Sequence, residues 1–211
     1  WENMDPRLCP VLAREMEIYA AFLEFADHHV GRVVDSLAEL GILDDTLVFY
    51  IVGDDGASAE GSVIGAWNDK AAAEAPDLAT PELMIERIDE LGSARAYNHY
   101  AVGWAHAMDT PYQWTKQVAS HFGGTRNGAI VHWPNGIKSK GEIRSQFHHV
   151  IDVAPTILEA AKLPEPTMVN GVLQEPMHGV SMLYSFDDAK ATERHETQYF
   201  EMVCNRGIYH K

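Results

Sequence analysis

Cysteine is scarce, with only Cys9 and Cys204 near opposite ends of 211 residues. Two cysteines make no disulfide framework, and no Cys-x-x-Cys or Cys/His cluster gives a zinc spacing, so both read as ordinary free thiols. Basic residues are scarce as well. Sixteen Lys and Arg stand against 31 Asp and Glu, a formal net charge of −15. A nucleic-acid phosphate backbone would be repelled by such a chain. Apolar runs are short. None approaches the roughly 18 residues of a membrane-spanning helix, and no basic segment leading into an apolar stretch opens the chain as a signal peptide does. Gly-x-Ser-x-Gly, a Gly-Lys-Ser/Thr phosphate loop and a dinucleotide fingerprint are all missing. Their absence removes the common hydrolase, nucleotide-triphosphatase and dehydrogenase readings.

What is present is a globular composition, 46% hydrophobic and 22% charged, sized for one domain or two small ones. Met16, Tyr19, Leu23, Ala26, Val30, Val33, Leu37 and Leu40 recur at alternating steps of three and four. That spacing predicts a helix over residues 13–40 with these side chains on one face. Gly41 follows as a left-handed cap, Asp44-Asp45 as a turn, and residues 46–52 as a strand covered on both faces. A second buried strand is expected over 129–133, a late strand over 198–202, and a capped helix over 152–161 presenting Val153, Ile157, Leu158 and Ala161. Residues 69–91 read as a surface excursion with a short helix opening at Thr80-Pro81. Thr110 to Gln113 has the capping-box pattern for a further helical turn. The whole is one α/β domain, residues 1–211, or the larger part of one, with no separate second domain.

The strongest chemical signal is Gly53-Asp54-Asp55-Gly56 after the first strand. Conformation alone makes Asp-Asp-Gly a turn. Two adjacent carboxylates beyond the carboxyl end of a strand also suit a hard divalent cation, calcium or magnesium, with further ligands drawn from elsewhere. Lys116 precedes the block Gly123-Gly124-Thr125-Arg126, where a lysine holds a tetrahedral oxyanion or is simply solvated. Arg126 does likewise or braces a carboxylate. Eleven histidines include the pairs His28-His29 and His148-His149. Neither pair has a third ligand at zinc-like spacing, so each defaults to a surface or core role, with a general acid still open among them. Trp104, Trp114, Trp133, Tyr97, Tyr100 and Tyr112 either pack the core or line a pocket for an aryl group.

Taken in order, these segments resemble the C-terminal part of the catalytic domain of a type I sulfatase, the arylsulfatase branch of the alkaline-phosphatase superfamily. The match runs through Asp27 and Gly31-Arg32-Val33-Val34, Thr46-Leu47-Val48, Gly53-Asp54-Asp55-Gly56, Lys116, Gly123-Gly124-Thr125-Arg126, Trp133-Pro134 and Asp152-Val153-Ala154-Pro155-Thr156-Ile157-Leu158. The resemblance implies an α/β fold with a mixed, mostly parallel sheet flanked by helices, incomplete here because the N-terminal half is absent. It also implies hydrolysis of sulfate esters, aryl ones first, by a formylglycine nucleophile made from a Cys/Ser-x-Pro-x-Arg segment upstream of this chain. Asp54 and Asp55 fall on the second pair of ligands to a Ca2+ ion, Mg2+ being the alternative, and Lys116 falls on the lysine that contacts the sulfate and the leaving-group oxygen.

Two departures stand out. The family pattern is Asp-Asn where this chain has Asp54-Asp55, and the nucleophile segment is missing, since Pro10 directly follows Cys9. A start at Trp1 rather than Met agrees with a chain cut from something longer. The 211 residues alone are therefore expected to be inactive and to rely on the missing half or on self-association. Two rivals stay open: a phosphonate or phosphodiester hydrolase of the same superfamily, and a non-catalytic cation-binding module. Cytoplasmic and periplasmic locations are both compatible with the sequence.

Overall fold

The computed structural model describes residues 2–53, 55–70 and 80–211. A 3-10 turn at Pro6–Leu8, capped by the Asp5 carboxylate accepting from the Arg7 N–H, leads into the long helix α1, Cys9–Glu39. Gly41 ends it at φ +69°, a left-handed conformation that glycine adopts without a Cβ penalty. Strand β1, Val48–Val52, follows a 3-10 turn at Leu43–Asp45. Helix α2 is Pro81–Glu86, and Thr80 caps it by accepting from the Leu83 N–H at 3.3 Å. Helix α3 is Val102–Asp109 and strand β2 is Gly128–His132. Helix α4, Val153–Ala160, continues a 3-10 turn at Val150–Asp152. The remaining elements are β3 Met168–Val169, β4 Val172–Leu173, helix α5 Leu183–Phe186, β5 Thr197–Met202 and β6 Asn205–His210.

Helices and strands are thus mixed along the chain. The described strands pair two by two, β1 with β2, β3 with β4 and β5 with β6, and the β3–β4 pair is antiparallel. No helix among the described residues is long and apolar enough to cross a membrane.

Residues group into two compact units, one drawn from Trp1–Ser36, Ile51–Gly128 and Glu201–Gly207, the other from Leu37–Tyr50, Ala129–Phe200 and Ile208–Lys211. The core of the first is Leu8, Val11 and Leu12 against Met84, Leu91 and Ala101, with Trp104 packed at its edge and donating from Nε1 to the Leu12 carbonyl at 3.0 Å. Glu15 enters this core at 1% exposure. Its Oε2 accepts from the Ala101 N–H at 2.9 Å while Oε1 has no partner. A Cβ on Gly65 would collide with that same Oε1. Burial pushes the Glu15 carboxyl up to about 8, against the single opposing hydrogen bond.

The second unit is organised by another buried acid. Asp152, fully buried, accepts from the His149 N–H at 2.9 Å, the Val180 N–H at 2.7 Å and His195 Nδ1 at 2.8 Å, with His148 Nδ1 at 3.7 Å. Burial alone would raise this carboxyl. The two histidines and two amides outweigh it and hold the group at about 2. Thr156, one turn on, donates to the Asp152 carbonyl at 2.6 Å and accepts from the Met182 N–H at 2.8 Å. Phe147 stacks on Tyr209 with centroids 3.9 Å apart.

Several sequence expectations are corrected here. The buried residues of α1 are Val11, Leu12 and Glu15; of the expected seam Met16, Tyr19, Ala26 and Leu37 are half-buried, while Val33 and, just past the helix end, Leu40 are 64% and 71% exposed. Only the first turns of the helix meet the core. Ile51 and Val52 of β1 and Ile130 of β2 are exposed, so neither strand is covered on both faces. Met84 and Leu91 are among the most buried side chains, so the later part of 69–91 is core, while residues 71–79 lie outside the described ones. Thr110 ends α3, with its hydroxyl donating to the His106 carbonyl at 3.1 Å, and starts no helix. In α4 the buried residue is Thr156, because the Asp152 network claims that side of the helix.

Two stability measurements follow from the buried acids. The folded value of Glu15 lies above its ordinary value of 4.5, so its contribution is intact below about 4.5 and lost as pH rises toward about 8. Glu15→Gln should therefore flatten the decline in stability over that range and raise stability at pH 8, read by denaturant melts. Asp152 has the opposite sign: stability is present above about 4 and lost as pH falls toward about 2. Asp152→Asn should cost about 2–4 kcal/mol at pH 7 and remove that acid limb.

Candidate functional site

Strand β1 delivers the chain to Gly53 and Gly56, which take φ of +81° and +87°. The two left-handed glycines turn the loop sharply beyond the strand end. Asp54, one of the two carboxylates marked by the sequence, lies outside the described residues. Asp55 is described and half-buried. A Cβ on Gly56 would overlap the Gly123 carbonyl oxygen, so at this point one backbone lies directly against another.

Hydrogen bonds lock that approach. The Lys116 N–H donates to the Ala57 carbonyl at 3.0 Å, and the Gly123 N–H donates to the Gln113 carbonyl at 3.0 Å. The Ala57 N–H donates to Asp109 at the end of α3, at 3.0 Å to Oδ1 and 3.3 Å to Oδ2. Burial raises the Asp109 carboxyl while that amide opposes the shift. A Cβ on Gly53 would stand 3.3 Å from Asn127 Oδ1, so the Gly123–Asn127 block runs beside both ends of the loop. Lys116 sits in a turn whose backbone is itself unusual. Trp114 and Gln117 take φ of +65° and +72°, conformations that cost a bulky residue and persist only when surroundings over-determine them.

The Lys116 ammonium lies 3.3 Å from both oxygens of Glu60. Gln117 Nε2 donates to Glu60 Oε1 at 3.1 Å and the Ser58 hydroxyl donates to Oε2 at 2.8 Å. Ser58 is in turn 2.8 Å from His99 Nε2, and His99 Nδ1 is 2.8 Å from the Tyr100 carbonyl. The Ser58 hydrogen bond, then Lys116, holds the Glu60 carboxyl below its usual range against a desolvation that works the other way. Glu60, Asp69 and His99 place one oxygen or nitrogen each within 4.8 Å of one another. Glu60 in that group is already engaged by three donors.

Of the residues marked by the sequence, Lys116 and the loop carrying Asp55 are therefore brought together. Arg126 is not an oxyanion or carboxylate partner among the described residues; its guanidinium faces the rings of Tyr112 and Phe122, at 5.2 and 5.5 Å. His148 and His149 surround Asp152, and His29 pairs with Arg32 on α1. Trp114, Tyr97 and Phe122 are more than half exposed, so these three rings do not form core. Sequence reading missed Ser58, Glu60, His99 and Asp109. Ser58 and Glu60 follow the Gly-flanked pair directly, the single positional cue available, and His99 and Asp109 carried none.

Gly56→Ala tests the clamp. It adds a Cβ both to a positive-φ position and against the Gly123 carbonyl, and should cost more than about 2 kcal/mol, seen as a lower Tm.

Comparison with known proteins shows the family. The family model described as sulfatase matches residues 2–163. An uncharacterized sulfatase of Schizosaccharomyces pombe is 35% identical over 169 residues, 79% of this chain and 28% of that protein. An arylsulfatase of Klebsiella aerogenes is 25% identical over 185 residues, 86% of this chain and 37% of that protein. The chain thus spans about a third of the length of the curated relatives it matches. With a family match over most of its length and the Gly53–Gly56 loop clamped to the Lys116 turn, the chain belongs to the sulfatase family.

Proposed function

We propose that the protein carrying this chain is a sulfuric ester hydrolase of the arylsulfatase type. The observation that carries the reading is the clamp, which sets a lysine and a carboxylate-bearing loop at the end of β1 against each other. In this reading Lys116 contacts the sulfate group and the leaving-group oxygen, where a fixed ammonium offsets developing charge. Asp54 and Asp55 hold a calcium-type ion. The loop fits such an ion in its donor chemistry, since Asp55 supplies hard oxygen and Asn127 Oδ1 lies beside Gly53. When bound, the ion supplies positive charge to a sulfate oxygen and to the nucleophile. The nucleophile, a formylglycine, belongs to residues upstream of Trp1, so the 211 residues alone are without turnover.

The exposed strand faces and the solvent-facing stretch of α1 support a larger, mostly parallel sheet completed by that upstream part, in the alkaline-phosphatase manner. Self-association would cover the same surfaces. The substrate is a small sulfate ester, with aryl sulfates first among them.

The test uses the full-length protein with 4-nitrophenyl sulfate and bis(4-nitrophenyl) phosphate. Faster sulfate turnover, with kcat/KM falling about 10²–10³-fold in Lys116→Ala, is the expected result. Preference for the phosphodiester would move the protein to a phosphodiester hydrolase. Loss of neither activity in Lys116→Ala would remove Lys116 from the site.

A further inference from the structure

We propose that Glu60 is the positioning residue for Lys116, and that Ser58 and His99 form the brace that holds Glu60 in place. The inference rests on the assignment of Lys116 to the substrate's sulfate group and adds to it how that ammonium is aimed. A lysine is a strongly hydrated point charge on a flexible four-carbon stem, and by itself it fixes no direction for its three donors. Here both Glu60 oxygens stand at the same 3.3 Å from Nζ, which centres the ammonium on the carboxylate. With two donors turned to Glu60, one N–H remains, in a set direction, for an anionic oxygen.

An exposed Lys–Glu pair usually contributes little, because both side chains must be ordered to make it. This pair differs in that Glu60 is ordered independently of the lysine. Gln117 Nε2 holds one oxygen at 3.1 Å and the Ser58 hydroxyl the other at 2.8 Å. A carboxylate only accepts, so the Ser58 hydroxyl donates to Glu60, and the Ser58 oxygen stands 2.8 Å from His99 Nε2 on its other side. His99 Nδ1 is anchored to the Tyr100 carbonyl at 2.8 Å. The backbone under the pair is equally constrained. A Cβ on Gly61 would overlap the Tyr100 carbonyl, and the Lys116 amide is tied to Ala57. The carboxylate is thus a fixed post, and the lysine is the mobile group it orients.

A double-mutant cycle in the full-length protein separates this role from a merely structural one. Glu60→Gln keeps the side-chain shape and removes the charge. It should lower kcat/KM for 4-nitrophenyl sulfate about tenfold or more when Lys116 is present, and less than about twofold when Lys116 is alanine. Glu60→Asp should recover part of the loss. Ser58→Ala should show the same dependence on Lys116 at a smaller factor, and it carries the test if Glu60→Gln does not fold. The same loss in both backgrounds, or no loss beside Lys116, overturns the proposal while leaving Lys116 in its role. Full activity of Lys116→Ala overturns the underlying assignment and this inference with it.

Discussion

The approach of two backbones at Gly56 and Gly123 is the constraint on which the site depends. Neither position has room for a Cβ, and the Lys116 amide closes the contact by bonding to Ala57. The same contact sets Asp55 beyond β1 and fixes where the Lys116 stem begins. Positive φ is concentrated around it: Gly53 and Gly56 take it freely, while Trp114 and Gln117 take it at a cost. Such conformations persist only where packing and hydrogen bonds hold them. Asp109 is part of that hold, its half-buried carboxylate accepting from the Ala57 amide at a position where no apolar contact could satisfy that donor.

Local structure was legible in the sequence to the extent that local rules governed it. The long periodic run became α1, Thr80-Pro81 became a capped helix, Gly41 took the left-handed conformation, and residues around 198–202 became a strand. Each follows from periodicity, capping or backbone sterics, which act over a few residues. Burial was not legible in the same way. The seam through Val33 and Leu40 is apolar and yet exposed, while Glu15 is interior. Periodicity reports which residues could share a buried face, and whether that face meets another element is a tertiary matter. Thr110 failed for a related reason. A threonine whose hydroxyl bonds back to the carbonyl four residues earlier serves a helix end as readily as a helix start.

The site divides along the same line. Gly53-Asp54-Asp55-Gly56 and Lys116 stood out because glycine pairs and a lysine near a glycine-rich turn have a readable chemical pattern. Glu60, Ser58 and His99 did not, because their relation exists only in space, across 41 residues between Ser58 and His99 and 56 between Glu60 and Lys116. Two buried or braced acids show how far environment decides role. Glu15 has one hydrogen bond in an apolar core and tends to neutrality. Glu60 has charged and neutral donors on both oxygens and stays ionised below its usual range. Residue type is the same in both; burial and the set of donors differ.

Electrostatics ties the reading together. A chain of net charge −15 opposes the approach of an anionic ester, so an anion site on it needs concentrated positive charge. Lys116 supplies one charge, but Glu60 balances it at 3.3 Å. The pair is therefore close to neutral as a unit and acts through direction more than through field. Attraction for a sulfate group must then come from a second cation, and Arg126 is spent on two aromatic rings. Under the proposed function that demand falls on the ion assigned to Asp54 and Asp55. In that reading, an aspartate at 55 where the resembling family has asparagine would add a carboxylate to the ion's shell, strengthening the hold on the metal while lowering the positive charge it offers to the substrate, so that ion affinity and sulfate affinity would be set against each other at this one position.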